Sequence, residues 1–135
     1  MSLAGIKAAI VTALDTISGL RAYDQAPESV NDLPCAYVLP KSGTFHMDAG
    51  NNMTHELEII LLVQRGGEVQ QAQADIDAYM DSTGTKSIKA VLESTALVKG
   101  THLHDLIVTG YRDYGGLEYA GSVFLGLRFD CHVIC

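Results

Sequence analysis

The sequence predicts an α+β fold: a mixed, largely antiparallel β-sheet with an N-terminal helix and two central helices packed on it, in a single domain over residues 1–135. Three observations predict it. Apolar residues recur at helical spacing near the N-terminus and again in the middle of the chain. Two long segments, Met53–Gln64 and Ser122–Cys135, alternate with a period of two. The strands come in groups instead of alternating one by one with helices, which disfavours βαβ units and favours antiparallel pairing.

Each element follows from its own residues. Ser2 is a suitable N-cap, and Ile6, Ile10, Ala13, Leu14 and Ile17 form one stripe as far as Gly19, a natural C′ residue. This predicts a helix over 3–18. Residues 20–23 read as extended, and 24–34, with Pro27, Asn31 and Asp32, as a loop. Cys35–Leu39 is a short strand that Pro40 should stop, followed by a turn at Lys41-Ser42-Gly43 and a candidate strand start at Thr44–Met47. Asp48-Ala49-Gly50-Asn51-Asn52 is a strong loop signal.

In the strand Met53–Gln64, His55, Leu57, Ile59, Leu61 and Val63 share one face. The other face, from Thr54, Glu56 and Glu58 to Ile60, Leu62 and Gln64, begins polar and ends apolar, so its apolar end must be covered by something. Arg65-Gly66-Gly67 breaks the strand. A helix is expected over 68–81 with Val69, Ala72, Ile76, Tyr79 and Met80 as its stripe, and a shorter one over 86–94 presenting Ile88, Val91 and Leu92. Strands over 102–114 and 122–135 close the chain, joined by the glycine-rich stretch 115–121.

Composition narrows the function. The chain is 47% hydrophobic and 19% charged, a globular profile with too much apolar material for a disordered chain. Low charge with abundant aliphatic residues suits a subunit that covers part of its surface with neighbours. Nine Lys and Arg against sixteen acids give a net charge of −7, which argues against nucleic-acid binding, because phosphate contacts need clustered cations. Three cysteines (Cys35, Cys131 and Cys135) lack zinc spacing and read as unbridged thiols in a reducing compartment. The apolar run Leu3–Leu14 contains Lys7 and precedes Asp15, so an amphipathic helix is expected, not a signal peptide or a membrane span.

A search for chemistry yields candidates and no active site. Nucleophile elbows, Walker loops and dinucleotide glycine patterns are missing from the sequence, so no catalytic residue, cofactor or metal is expected. Gly110 and Gly115-Gly116 read as bulge or turn glycines of a hairpin. His102 and His104, with Asp105, could form a strand pair of metal ligands, but no third ligand is obvious beyond His46, His55 or His132. Glu56 and Glu58 could act as paired carboxylates, or be the solvated side of a half-buried strand. Asp75, Asp77 and Asp81 read as the wet face of a helix. Tyr111, Tyr114 and Tyr119, with Arg112, suit a protein interface; equally, they could be aromatic pairs that stabilise the hairpin. The loop residues Asp48, Asn51 and Asn52 are further candidates for mobile assembly contacts.

The order of these segments is itself informative. A helix ending Ile17-Ser18-Gly19-Leu20 precedes Asp24-Gln25-Ala26-Pro27 and Leu33-Pro34-Cys35-Ala36-Tyr37-Val38. Next come Ala72–Tyr79, Ser87–Leu92 and finally Tyr119-Ala120-Gly121-Ser122-Val123-Phe124-Leu125-Gly126-Leu127-Arg128-Phe129. In this order and at this length the chain resembles the tail terminator (tail completion, tail-to-head joining) proteins of long-tailed bacteriophages and prophages. The resemblance spans nearly the whole chain and rests on order and spacing, with no single diagnostic motif. It implies an α+β subunit of a hexameric ring, assembled in the bacterial host cytoplasm and resident in the virion tail or neck. Such a ring caps the tail tube, stops its polymerisation and offers a surface to the head. Its partners would be its own copies, the tail tube and head-neck proteins, with no membrane, and DNA would pass through the lumen without specific binding. An acidic lumen would suit that passage. The alternatives are another neck or head-completion component, or a small α+β enzyme or metal- or ligand-binding domain using His102, His104 and the carboxylates.

Overall fold

A computed structural model of the chain describes residues 3–17, 19–25, 33–45, 53–65, 76–93, 105–119 and 121–134. In chain order the elements are helix α1 (Leu3–Leu14), strands β1 (Arg21–Tyr23), β2 (Cys35–Phe45) and β3 (Met53–Arg65), a helical stretch α2 over 76–80, helix α3 (Ile88–Leu92), and strands β4 (Asp105–Tyr119) and β5 (Ser122–Ile134). The five strands form one sheet in the order β1-β2-β3-β5-β4. Only β1 and β2 run parallel; the other three pairings are antiparallel. The fold is therefore α+β with a mixed, largely antiparallel sheet.

The helices cover one face of this sheet. Ile6, Ile10, Ala13, Leu14 and Ile17 from the α1 region, Ile76 and Tyr79 from α2, and Ile88 and Leu92 from α3 bury against Leu57, Ile59, Leu61, Val63, Leu127, Phe129, Cys131 and Val133. These are the residues that helical and period-two spacing assign to the inner faces. Burying each large aliphatic side chain stabilises by about 1.5–3 kcal/mol, so this layer is the main source of stability. α3 begins at Ser87, whose hydroxyl accepts a hydrogen bond from the Ala90 amide at 3.1 Å, satisfying a donor that the first turn would leave unpaired.

The opposite face answers the question raised by β3. At one end, Cys35, Tyr37, Ile60, Leu62 and Phe124 form a second apolar cluster, and Tyr23, Leu33, Leu39, Leu117 and Tyr119 pack around it. The apolar half of the outer face is thus covered by side chains of its own sheet and its flanks.

Several boundaries differ from expectation. The first helix ends at Leu14, not Ser18, because Thr16 and Ile17 donate to Ala13 and Leu14 in tighter turns three residues back. Pro40 does not end β2. The strand continues to Phe45, with the register jumping between Pro40↔Leu57 and Ser42↔Glu56, so the expected turn at Lys41 is a bulge. β1 covers only Cys35–Tyr37, so Pro40 lies on an exposed edge, where a missing N–H is tolerated. The expected 115–121 connection is likewise mostly strand. β4 runs to Tyr119, which pairs with Ser122, and only positions 120 and 121 separate the two strands. A bulge between Arg112 and Gly115 places Asp113 (φ 60°) and Gly115 (φ 139°) in the left-handed region, and a second lies between Val108 and Gly110. The expected helix over 68–81 is described only across 76–80, and α3 is shorter than the expected 86–94.

Candidate functional site

Past the apolar cluster, the face away from the helices becomes a charged lattice built by strand register. Glu58 stands opposite Asp130, and in the next row Arg128 stands opposite Arg112. Directly facing like charges would repel, but the two rows are offset so that each guanidinium meets carboxylates diagonally. Arg112 reaches Asp130 through Nε at 3.2 Å, Asp113 through Nη1 at 2.8 Å, and Glu58 through Nη2. Arg128 holds the other Glu58 oxygen through Nη1 at 3.2 Å. Its buried Nε lies 3.3 Å from Asp113 Oδ2 but is not aligned for a hydrogen bond. Lys41, from the β2 bulge, approaches Asp130 at 3.6 Å, and His132 Nδ1 contacts the Glu56 carboxylate.

This arrangement corrects one sequence reading. Glu56 and Glu58 are not a simple solvated pair: Glu58 is only 13% exposed and bridges two arginines. Arg112, expected at an assembly contact, has its fork occupied by carboxylates of its own subunit, and the guanidiniums of this lattice are spoken for as far as a phosphate ligand is concerned. No local signal reveals the lattice, since Glu58 and Arg112 lie 54 positions apart and meet only through the β3-β5-β4 pairing.

The other candidates divide. Tyr119 lies against Tyr37, ring centroids 5.2 Å apart at 33°, and so belongs to the second cluster. Burial raises the hydroxyl pKa of Tyr37, with Tyr119 contributing. Tyr111 and Tyr114 are 54% and 43% exposed, and Asp77 and Asp81 are exposed as expected. Asp48, Asn51, Asn52, Asp75, His46, His102 and His104 lie outside the described residues. Among those described, no group of three or more His, Cys, Asp or Glu residues is placed to hold a metal ion, and no helix is long and apolar enough to cross a membrane.

Cys35 and Cys131 are buried and form no disulfide among the described residues; Cys135 lies outside them. Burial, reinforced by Asp130, pushes the Cys131 thiol up to about 12. A pKa raised above its unfolded value means a neutral thiol favoured by the fold, so this contribution is complete below the unfolded-state pKa of about 8.5 and is lost as pH rises towards 12. Stability is therefore expected to fall through the pH 9–12 window, and less steeply in Cys131→Ala once its cavity cost is subtracted. Urea titrations at several pH values would show it; a pH-independent difference between the two proteins would refute it.

The remaining feature is the pair of open sheet edges. Among the described strands, β4 has no partner on its outer side, and β2 has none beyond Tyr37. The β4–β5 hairpin carries the exposed Tyr111, Tyr114 and Val123. At the other edge, Phe45 is 79% exposed beside a notch of about 380 Å³ formed by Pro40–Phe45 and His55. Sequence reasoning singled out the tyrosines and named His55 only as a possible metal ligand, and it did not join Pro40 and Phe45 into one edge because it placed a turn at Lys41-Ser42-Gly43. No family model and no curated protein matches the chain.

Proposed function

We propose that this chain is a structural assembly subunit that closes head to tail into a hexameric ring, caps a bacteriophage tail tube, stops its polymerisation and presents a surface for joining the head. The observation that carries the proposal is the pair of dissimilar sheet edges that have no strand partner among the described residues, β4 on one side and the 38–45 stretch of β2 on the other. A cyclic ring needs two different patches that meet heterologously, and an unpaired strand edge is a template for another chain. The order of segments that resembles tail terminators supports the same reading. The net charge of −7 suits a lumen through which DNA passes without being gripped.

Native mass spectrometry across a wide protein concentration range, paired with a tube-growth assay, tests the proposal. The expected result is a closed hexamer, or a concentration-dependent climb towards one, and arrest of tail-tube growth. A chain that stays monomeric at every concentration and leaves tube growth unaffected overturns it. Binding to head-side neck proteins without any effect on tubes would reassign the chain to another neck component.

A further inference from the structure

The two sheet edges without a strand partner among the described residues are both interrupted. In β4 one extra residue, Thr109, stands between the pairs Val108↔Cys131 and Gly110↔Asp130, and another enters between Arg112↔Arg128 and Gly115↔Gly126. In β2 the extra residue is Lys41, between Pro40↔Leu57 and Ser42↔Glu56. Outward N–H and C=O groups alternate along an edge strand, and an extra residue puts them out of step on its two sides. A regular strand laid along β4 could therefore match 105–108, 110–112 or 115–119, but not all three at once. β2 divides in the same way at Lys41, and Pro40 has no N–H to donate.

These interruptions are held from inside the sheet. Thr109 Oγ1 donates to the Asp130 carbonyl oxygen at 3.1 Å. The Asp113 carboxylate accepts from Arg112 Nη1 at 2.8 Å and lies 3.3 Å from Arg128 Nε, which ties down the bulge whose backbone Asp113 carries at φ 60°. Lys41 Nζ, from the other edge, lies 3.6 Å from the Asp130 carboxylate. Side chains from the bulges of both edges thus converge on Arg128 and Asp130 of the interior strand β5.

We infer that the charged lattice is an edge guard: Arg128 and Asp130 pin the bulges of β4 and β2, and the bulges keep a second copy of this chain from adding a strand along either edge. The guard meets a hazard intrinsic to the fold, since an unpaired edge is a template for open-ended sheet growth. It goes beyond the ring reading and does not depend on it. Where copies do meet at these edges, they meet through side chains and the short regular runs.

Deleting Thr109 tests the guard without changing charge. The flanking pairs Val108↔Cys131 and Gly110↔Asp130 become consecutive, so no residue of β4 changes face. Thr109 is exposed, and the shortened chain is expected to fold, which circular dichroism would check. It is expected to associate into open-ended species at a protein concentration at least about tenfold below that of the wild type. Light scattering and the infrared band of intermolecular sheet would read this. A second comparison needs no deletion and decides alone if the shortened chain does not fold. Asp113→Thr puts a β-branched residue where φ is 60° and opposes the bulge, whereas Asp113→Gly accepts that conformation; both lose the same carboxylate. Asp113→Thr is expected to associate severalfold more readily than Asp113→Gly. A folded chain lacking Thr109 that associates no more readily than the wild type, or equal association of Asp113→Thr and Asp113→Gly, overturns the inference. Neither result bears on the ring reading, because ring closure is read in the wild type and shows as a hexamer, not as open-ended growth.

Discussion

Gly126→Ala is expected to abolish the native fold. A Cβ at this position would lie inside the Leu61 carbonyl oxygen, with the Leu61 carbonyl carbon at 3.2 Å and the Leu117 side chain at 3.3 Å. Gly126 pairs with Leu62 next to the bulge that skips from Leu62 to Gln64, where the β3 backbone leans into β5. The obstacle is backbone in the middle of the sheet, which cannot turn aside as a long side chain can. The register between the two central strands would have to shift, and that register aligns both core layers. The cost is expected to exceed about 4 kcal/mol, above ordinary overpacking and a large part of the stability of a domain this size. Gly110→Ala is the control, since its Cβ would meet nothing within 4 Å, and it is expected to change stability by less than about 1 kcal/mol. Equilibrium urea unfolding of the two variants would decide; a Gly126→Ala protein as stable as Gly110→Ala would mean the close approach is not real.

Removing Glu58 is expected to have the next largest effect, about 3 kcal/mol for Glu58→Ala. Its carboxylate is the most shielded of the charged lattice and binds Arg112 with one oxygen and Arg128 with the other. Without it, two guanidiniums in direct register face each other across β4 and β5 with only Asp113 and Asp130 to separate them. Glu56→Ala should cost less than about 1 kcal/mol, because the Glu56 side chain is 41% exposed and contacts only His132 within this lattice. Added salt should narrow the gap between the two variants only slightly, since the Glu58 contacts are partly buried. Equal losses from the two substitutions would show that the lattice has no protected centre.

The two substitutions illustrate why the face away from the helices was poorly legible in the sequence. Glu56 and Glu58 look alike along β3, and nothing local distinguishes a carboxylate bridging two arginines from one near the solvent. Arg112 and Tyr119 likewise stood out as exposed interface candidates, yet one closes the lattice and the other lies against Tyr37. Tyr111 and Tyr114, by contrast, are exposed as expected. Pro40 and Gly115-Gly116 misled in the other direction. Both are strong breakers by local propensity, and both lie within strands because an edge or a bulge accommodates them.

What the sequence determined by itself was local. Helical spacing from Ile6 to Ile17 and period-two alternation in β3 and β5 assigned the residues under the helices, since side-chain direction follows directly from backbone periodicity. Segment order then determined the α+β class. The tertiary structure alone decided which strands became neighbours and in what register, because partner choice depends on packing between segments tens of residues apart. That choice brought Glu58 to Arg112 and Arg128, placed Gly126 against the Leu61 carbonyl, and left β4 and the far half of β2 without a strand partner among the described residues.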